Sequence, residues 1–548
     1  MNLKKHKNEL LFLPLGGSGE IGMNLNLYHL DGKWIMVDCG IGFADDYYPG
    51  ADIIVPNIKF IEKIKQDLIG LVVTHAHEDH VGGIPYLWEQ LECPVYTTAF
   101  TANFLRLKLL ETTFGKRVKI HEITPGKAFT LGPFEIEPIN LTHSIPEMQA
   151  MAIKTKFGTI MHTGDWKFDE NPMVGPASNL SRLKKRGEEG VLAIVCDSTN
   201  VFSNGESGSE GDVRENLTKL IATCKNRVAV GTFASNLARV ESIIHAARAN
   251  GREIVVCGRS FWRLIEAARE SGYLKDAPKF FTEKDAGKIP RAKALYLCTG
   301  SQAEPRAALS RIAEGTHPSL KLLPGDTAIF SSKIIPGNDT AIYRMMNLLT
   351  LQGIDVITEK EHHIHVSGHP YRNELKRMYE YTKPQIAIPV HGEARHIHEH
   401  AKLAKSLGVP DVFEIKNGDV LKLAPGKHEK VDMVEAGKLA VDAFVFLAGD
   451  SDIMRGRRKL KNNGAIFISI TMNNKGISIA QPQISAPGLL DPVQDAELFA
   501  EMAEEVEAAV DRKRDFKEAQ DAARKAVRRI IRDELDKNPI IEVHVARV

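Results

Sequence analysis

No C-x-x-C pair occurs among the six cysteines, Cys39, Cys93, Cys196, Cys224, Cys257 and Cys298, so a zinc ribbon is not indicated. Most of them sit in apolar runs such as VLAIVC and IVVC, where buried free thiols are expected. That usage fits a reduced, cytoplasmic setting. No charge of one sign dominates: 71 Lys and Arg stand against 70 Asp and Glu, for a formal net charge of +1. A globally basic surface is thereby excluded, and any nucleic-acid site must be a local groove. Apolar runs long enough to span a membrane are missing. The opening MNLKKHKNELLFLPLGG carries only a short apolar run and reads as a first strand rather than a signal peptide. No solenoid period is present. What remains is the composition of a soluble globular protein, 43% hydrophobic and 26% charged. The 548 residues suggest about three domains at roughly 100–200 residues each.

Residues 10–140 read as short β-rich runs broken by Gly, Pro and Asp: LLFLPLGG, NLNLYHL, KWIMVDCG, GLVVTHAH, PVYTTAF and FEIEPINL. MAIKTKF and GTIMHTGD look like a hairpin leading to a polar loop. From 211 to 356 the rhythm changes. RVAVGTF, EIVVCG, KALYLCTG, TAIFSS and IDVIT alternate with helical segments, which predicts βαβ units and a parallel sheet. QIAIPVHGE then repeats the first rhythm, so the middle block reads as an insertion. The predicted division is a first domain over 1–210 and 357–435, an insertion over 211–356, a linker over 436–459 and a small α/β appendage over 460–548. Within the appendage, 494–537 is helix-prone, acidic at first and basic from Arg512 to Arg532.

LVVTHAHEDHVGGIP places His75, His77, Asp79 and His80 on one loop directly after an apolar strand. Three imidazoles and a carboxylate so close together suit zinc or manganese rather than calcium. Three more loops follow apolar strands and offer His143 (PINLTHSIPE), Asp165 (TIMHTGDWK) and His391 (IAIPVHGE). Alone, each is weak, since a lone histidine at a strand end is more often a hydrogen-bonded structural residue. Together with the first motif they give enough donors for two cations, with Asp165 bridging. Two such ions about 3.5–4 Å apart stabilise both the attacking and the leaving oxygen of a displacement.

H-x-H-x-D-H resembles the most specific motif of the metallo-β-lactamase fold. DSTN (Asp197–Asn200), HVSGHP (His365–Pro370) and PVHGE (Pro389–Glu393) look like the three motifs of the β-CASP nucleases, and TFASN and IPGND also match. Over residues 8–430 the chain is most similar to the ribonuclease J family. The resemblance implies an α/β chain: a metallo-β-lactamase αββα sandwich, an inserted β-CASP parallel-sheet domain and a small C-terminal α/β domain. It implies RNA maturation and decay by 5′-to-3′ exonuclease action preferring a 5′ monophosphate, often with endonuclease action. It also implies a homodimer or homotetramer through the C-terminal domain. Carried over by motif, His75, His77 and His143 would hold one metal, Asp79, His80 and His391 the other, and Asp165 would bridge. His369 would act at the scissile phosphate, oriented by Asp197. Ser235, Asn236, His365 and Ser367 would form the pocket for a terminal phosphate. Zinc is expected from the imidazole-rich set, with manganese as the alternative.

Other groups read more plainly. His362 and His363 fit a polar strand entry, with a site role as the alternative; His396, His398 and His400 fit a solvated helix face, with a zinc pair at His396 and His400 as the alternative; and His162 fits a neighbour of the ligands. Asp45 and Asp46 fit an acidic turn, with a structural cation as the alternative. Arg455–Lys461 fits an exposed linker or an RNA contact. The segment 440–452 departs from the glycine-rich linker of the family. Competing functions are a small-molecule hydrolase on the same core, a DNA-directed β-CASP nuclease, and a scaffold subunit that has lost ligands. The first needs no HVSGH motif, and the last conflicts with the complete ligand set.

Overall fold

The computed structural model describes residues 4–443, 445–513 and 515–548. Met1–Leu3, Phe444 within the 440–452 segment and Arg514 within the basic stretch lie outside them. The chain forms two compact units. The first comprises Met1–Gly42 and Val55–Gly437, the second Phe43–Ile54 and Lys438–Val548.

The first unit is built on two large sheets. One has eight strands, in the order Glu429–Met433, Asp419–Ala424, Leu10–Gly16, Leu25–Leu30, Lys33–Val37, Leu68–Val72, Val95–Thr97 and Ile120–Glu122. The other has seven: Phe129–Leu131, Phe134–Asn140, Gln149–Thr155, Gly158–His162, Val191–Asp197, Ile386–Val390 and Asp411–Val412. Their facing side chains, among them Phe12, Tyr28, Val37, Val72, Phe134, Ile153, Val195 and Ile388, make one buried core. Outside the second sheet, Leu183, Leu375, Met378 and Leu403 bring three helices against it. Outside the first sheet, Phe60 of helix Lys59–Ile64 meets Trp34 at 5.5 Å, which completes the layers of an αββα sandwich.

Strand direction decides where the chemistry sits. Lys33–Val37 runs parallel to Leu68–Val72, with Val37 opposite Val72. Gly158–His162, Val191–Asp197 and Ile386–Val390 are likewise parallel, with Asp197 opposite Val390. All five strands therefore finish on the same edge, and the loops that follow them converge there.

The inserted segment forms a five-stranded parallel sheet in the order Glu253–Cys257, Ala294–Cys298, Val228–Gly231, Thr327–Phe330, Asp355–Ile357. These are the five runs that alternated with helical segments in the sequence.

The second unit holds a three-stranded sheet, Gln483–Ser485, Ala465–Met472 and Ile540–Arg547, packed on helices Ala496–Val510 and Phe516–Leu535. Residues 436–459, read as a linker, instead carry strands Lys438–Asp442 and Val445–Ala448 and the start of helix Asp452–Asn463. Nor is the basic run a solvated linker. Lys461 pairs with Asp46 at 2.6 Å, Arg457 pairs with Asp442, and the Arg458 guanidinium lies 4.3 Å over Tyr47. Asp45 accepts from the Tyr47 N–H at 2.8 Å, the hydrogen bond of an ordinary Asx turn. No described helix is long and apolar enough to cross a membrane.

Candidate metal centre

Each loop after a converging strand delivers a specific group. Leu68–Val72 leads through Thr74 to His75 and His77, and the short helix Glu78–Val81 adds Asp79 and His80. Backbone contact holds this loop down. The Cys39 N–H donates to His80 O at 2.7 Å, and the Asn24 N–H to Asp79 O at 2.8 Å. Gly40 lies beneath it, where a Cβ would stand 1.7 Å from Asp79 O.

The side chains gather into overlapping groups whose ligand atoms lie within 4.8 Å of one another: His75, His77, His143 and Asp165; Asp79, His80, Asp165 and His391; Asp165, Asp197, His369 and His391. Asp165 is common to all three. Its Oδ2 is 3.1 Å from His80 Nε2, 3.7 Å from His391 Nε2, 3.9 Å from His369 Nδ1 and 4.0 Å from His143 Nε2. His391 Nε2 also lies 3.1 Å from Asp79 Oδ2.

A further set of groups fixes which ring nitrogen faces the centre. His80 Nδ1 donates to Asp38 Oδ2 at 2.7 Å, and His143 Nδ1 to Gly368 O at 2.6 Å. Thr74 Oγ1 gives its proton to Asp38 and so accepts from His75 Nδ1 at 3.0 Å. Thr199 Oγ1 gives its proton to Asp197 Oδ1 and accepts from His391 Nδ1 at 2.7 Å. Four imidazoles are thereby tied at Nδ1, with Nε2 left for the interior. His77 is reversed: Ser144 Oγ is 3.2 Å from its Nε2, and its Nδ1 faces His143. Partners of this kind orient metal-ligating histidines. Asp38 and Thr74 escaped the sequence reading. The signal for Asp38 was available, since KWIMVDCG ends in a polar residue just as the histidine strand does.

Two buried atoms in this cluster, His75 Nε2 and Asp165 Oδ1, have no hydrogen-bond partner. A buried polar atom without a partner costs roughly 1–3 kcal/mol, so both fit a cation as their missing neighbour. Charge agrees. Burial pushes His77 down to about 4, and burial with neighbouring imidazoles holds His75 and His143 well below the usual range, in the neutral form that ligates. For His80 and His391 burial also works against the charge, but Asp165 and the other carboxylates overcome it and raise both. Those carboxylates gather negative charge at the spot where Nε2 atoms point, and divalent cations would neutralise it.

Beside the cluster, His369 Nδ1 donates to Asp197 Oδ2 at 2.8 Å. Burial lowers its basicity, yet Asp197 and Asp165 prevail and its pKa is raised. Ser367 Oγ accepts from Asn200 Nδ2 at 2.7 Å and from the His369 N–H at 3.1 Å. Ser235 and Asn236 sit at the start of helix Leu237–Ala249, and Asn236 Oδ1 accepts from the Arg239 N–H at 2.8 Å. Arg239 is fully buried, pairs with Glu210 at 2.7 Å and reaches His365 Nδ1 at 3.4 Å. Burial first, then Arg239, Lys333 and Lys167, hold His365 well below its usual pKa. The sequence reading missed Arg239, which no motif announces.

The remaining histidines separate. His162 is buried under Tyr28 at 2.8 Å, outside the three groups, and His362 and His363 are exposed. His400 corrects the solvated-face reading of its helix: it is fully buried, its ring bonded to Ser198 Oγ and Tyr379 OH, each at 2.9 Å. Helix Ala394–Ser406 turns that position onto the sheet, while His398 stays outside with Glu414.

Four family models match consecutive parts of the chain: a beta-lactamase superfamily domain over 33–179, a ribonuclease J beta-CASP domain over 225–349, a Zn-dependent metallo-hydrolase RNA specificity domain over 353–414, and a ribonuclease J C-terminal domain over 452–548. Fold and site thus define a metallo-β-lactamase hydrolase with an inserted β-CASP domain. Ribonuclease J of Sinorhizobium meliloti is 41% identical over 552 residues, covering 98% of each chain. Ribonuclease J of Corynebacterium glutamicum is 37% identical over 88% of this chain and 68% of that one. A protein of unknown function from Enterococcus faecalis V583 shares the fold, with a TM-score of 0.53 at 16% identity over 76% of this chain and 100% of that one. The chain belongs to the ribonuclease J family. It is a metal-dependent ribonuclease.

Proposed function

We propose that this ribonuclease degrades RNA from the 5′ end, prefers a 5′ monophosphate and also cuts internally, in RNA maturation and decay. The observation that carries the reading is the single carboxylate Asp165 shared between two ligand groups and the His369–Asp197 pair. His75, His77 and His143 would hold one divalent ion, Asp79, His80 and His391 a second, and Asp165 would bridge them. When bound, the ions supply Lewis acidity for the attacking and leaving oxygens. Zinc suits the imidazoles, and manganese suits the carboxylates.

The chain's own groups do the rest. Asp197 accepts the His369 Nδ1–H and keeps the ring basic enough to take a second proton on Nε2, the edge turned away from Asp197. His369 then protonates the leaving oxygen. Ser235, Asn236, His365 and Ser367 receive the terminal phosphate. Asn236 spends its carbonyl on the helix start, which leaves its amide N–H groups to donate. Ser367 accepts twice through Oγ, which leaves its own proton for a phosphate oxygen. Arg239, Lys333 and Lys167 make the surroundings of His365 positive, as a phosphate pocket requires.

The test is a product ladder from 3′-labelled RNA bearing a 5′ monophosphate, hydroxyl or triphosphate, with each metal. Ser367→Ala should reduce the preference for monophosphorylated RNA by about 1–3 kcal/mol, the cost of a lost charged hydrogen bond, and spare internal cuts. Equal loss on every end would make the pocket a general RNA contact. Mononucleotides released from the 3′ end would overturn the polarity.

A further inference from the structure

The turn that follows the DSTN segment carries an aromatic ring that nothing in the metal centre uses. Phe202 is 47% exposed, although its neighbour Val201 is fully buried. The turn itself is firmly held. The Val201 N–H donates to Ser198 O at 3.1 Å, the Ser203 N–H to Asn200 O at 2.8 Å, and Arg372 Nη1 to Val201 O at 3.3 Å. An exposed ring on a fixed turn is preorganised, so a partner need not order it.

Two groups flank the ring. The Arg395 guanidinium lies 5.4 Å from its centroid, and the His396 ring lies 5.3 Å away at 69°. Arg395 is exposed and makes no ion pair among the described residues. His396 Nδ1 is buried without a hydrogen-bond partner, its nearest carboxylate being Glu393 at 4.0 Å. Both residues belong to the first turn of helix Ala394–Ser406, which starts three positions after His391. Phe202 itself lies five positions after Asp197 and two after Asn200, which bonds Ser367. Strands Val191–Asp197 and Ile386–Val390 are hydrogen-bonded neighbours, so the two loops leave the sheet side by side. The aromatic–cationic cluster therefore stands at the rim of the reacting centre, on the segments that build it.

An exposed phenyl ring, a free guanidinium and a partly buried imidazole are the groups that hold single-stranded nucleic acid. The ring stacks a base of any identity, and the guanidinium stacks or meets a phosphate. We infer that Phe202, with Arg395 and His396 beside it, is a base-stacking platform for one nucleotide of the RNA strand as it passes the metal centre. The inference rests on RNA being the substrate. Because stacking reads no base edge, the platform grips the strand without choosing its sequence.

The test compares the metal-loaded enzyme with Phe202→Ala, Phe202→Leu and Phe202→Trp. The substrate is a 5′-monophosphorylated single-stranded RNA, and KM, kcat and metal content are read together. Both Ala and Leu should raise KM by about 5- to 150-fold, the range that removal of a stacking ring spans, and Trp should keep the parent value. In the parent, replacing one nucleotide at a time by an abasic residue should find a position that raises KM to a similar extent. At that position Phe202→Ala should add nothing further. A parental KM in Phe202→Leu would show that apolar packing suffices and overturn stacking. So would additive abasic effects at every position, or lost metal and lowered kcat in Ala and Leu alike. A parent enzyme inactive on RNA would instead fail the reading of the substrate, before any variant is compared.

Discussion

Asp38 touches no metal ligand atom of the interior, yet it decides how His80 is presented. It is fully buried and accepts from His80 Nδ1 and from both the amide and the hydroxyl of Thr74. Asp38→Asn should keep the shape and lose the charge that fixes the His80 tautomer. Metal affinity should fall by about 10- to 100-fold, as measured by chelator competition on the folded protein. Unchanged affinity would show that the loop backbone alone orients His80. His369 makes the opposite case. Its hydrogen-bond partner is Asp197, with Asp165 at 3.9 Å, so it borders the cluster with its Nδ1 already engaged. His369→Ala should retain the metals and lower kcat by roughly 10²–10⁴-fold, the usual worth of a positioned acid or base. Loss of metal would make His369 a ligand. At this scale the ligands were legible because histidines and aspartates after apolar strands are rare and dense. Thr74 and Arg239 were not, because hydrogen-bonding partners have no required spacing in the chain and many residue types can fill the role.

The elements meet most tightly where the Asp38–Ile41 segment crosses helix Glu78–Val81. The Ile41 N–H donates to Glu78 O at 3.0 Å and the Gly83 N–H to Cys39 O at 2.8 Å, so backbone packs on backbone. Gly40→Ala would force a methyl group against Asp79 O. The expected cost is about 1–3 kcal/mol or more in stability, with metal lost along with it, as read by denaturant unfolding and metal analysis. A stable, fully loaded variant would show that the loop can yield. Periodicity exposed the strands on either side of this crossing. It could not show the crossing itself, since the contact follows from which strands lie parallel. The helix Ala394–Ser406 teaches the same lesson. Its histidines at 396 and 400 read as sharing a solvated face, and only the packing of the helix on the sheet turns His400 inward.

Across the whole first unit, Glu210 and Arg239 join distant parts of the chain. Arg239 gives its Nη1 to Ser331 O, Ser331 Oγ and Ile364 O, while Glu210 takes its other face. Glu210→Ala leaves a buried cation unpaired and should cost about 3–5 kcal/mol in unfolding. Adding Arg239→Met should recover part of that loss, because the stranded charge goes too. Additive losses would mean the two residues act separately. The division into layers was legible at this scale because the middle of the chain changes rhythm. The fate of Phe43–Ile54 was not, since a short polar turn carries no mark of the elements it will join.

That segment has a consequence in time. Phe43–Ile54 belongs to the same unit as Lys438–Val548. It leaves the ribosome with the first strands, whereas its companions follow only after Val55–Gly437. At about 5–20 residues per second the delay is roughly 20–80 s. Throughout that interval the nascent protein must carry Tyr47, Tyr48 and the Asp45–Asp46 turn without the helix whose Arg457, Arg458 and Lys461 will hold them. The metal-binding loop lies only some two dozen residues downstream, so the catalytic half is synthesised around a segment still waiting for its partners. The second unit therefore closes only after the whole of Val55–Gly437 has been synthesised.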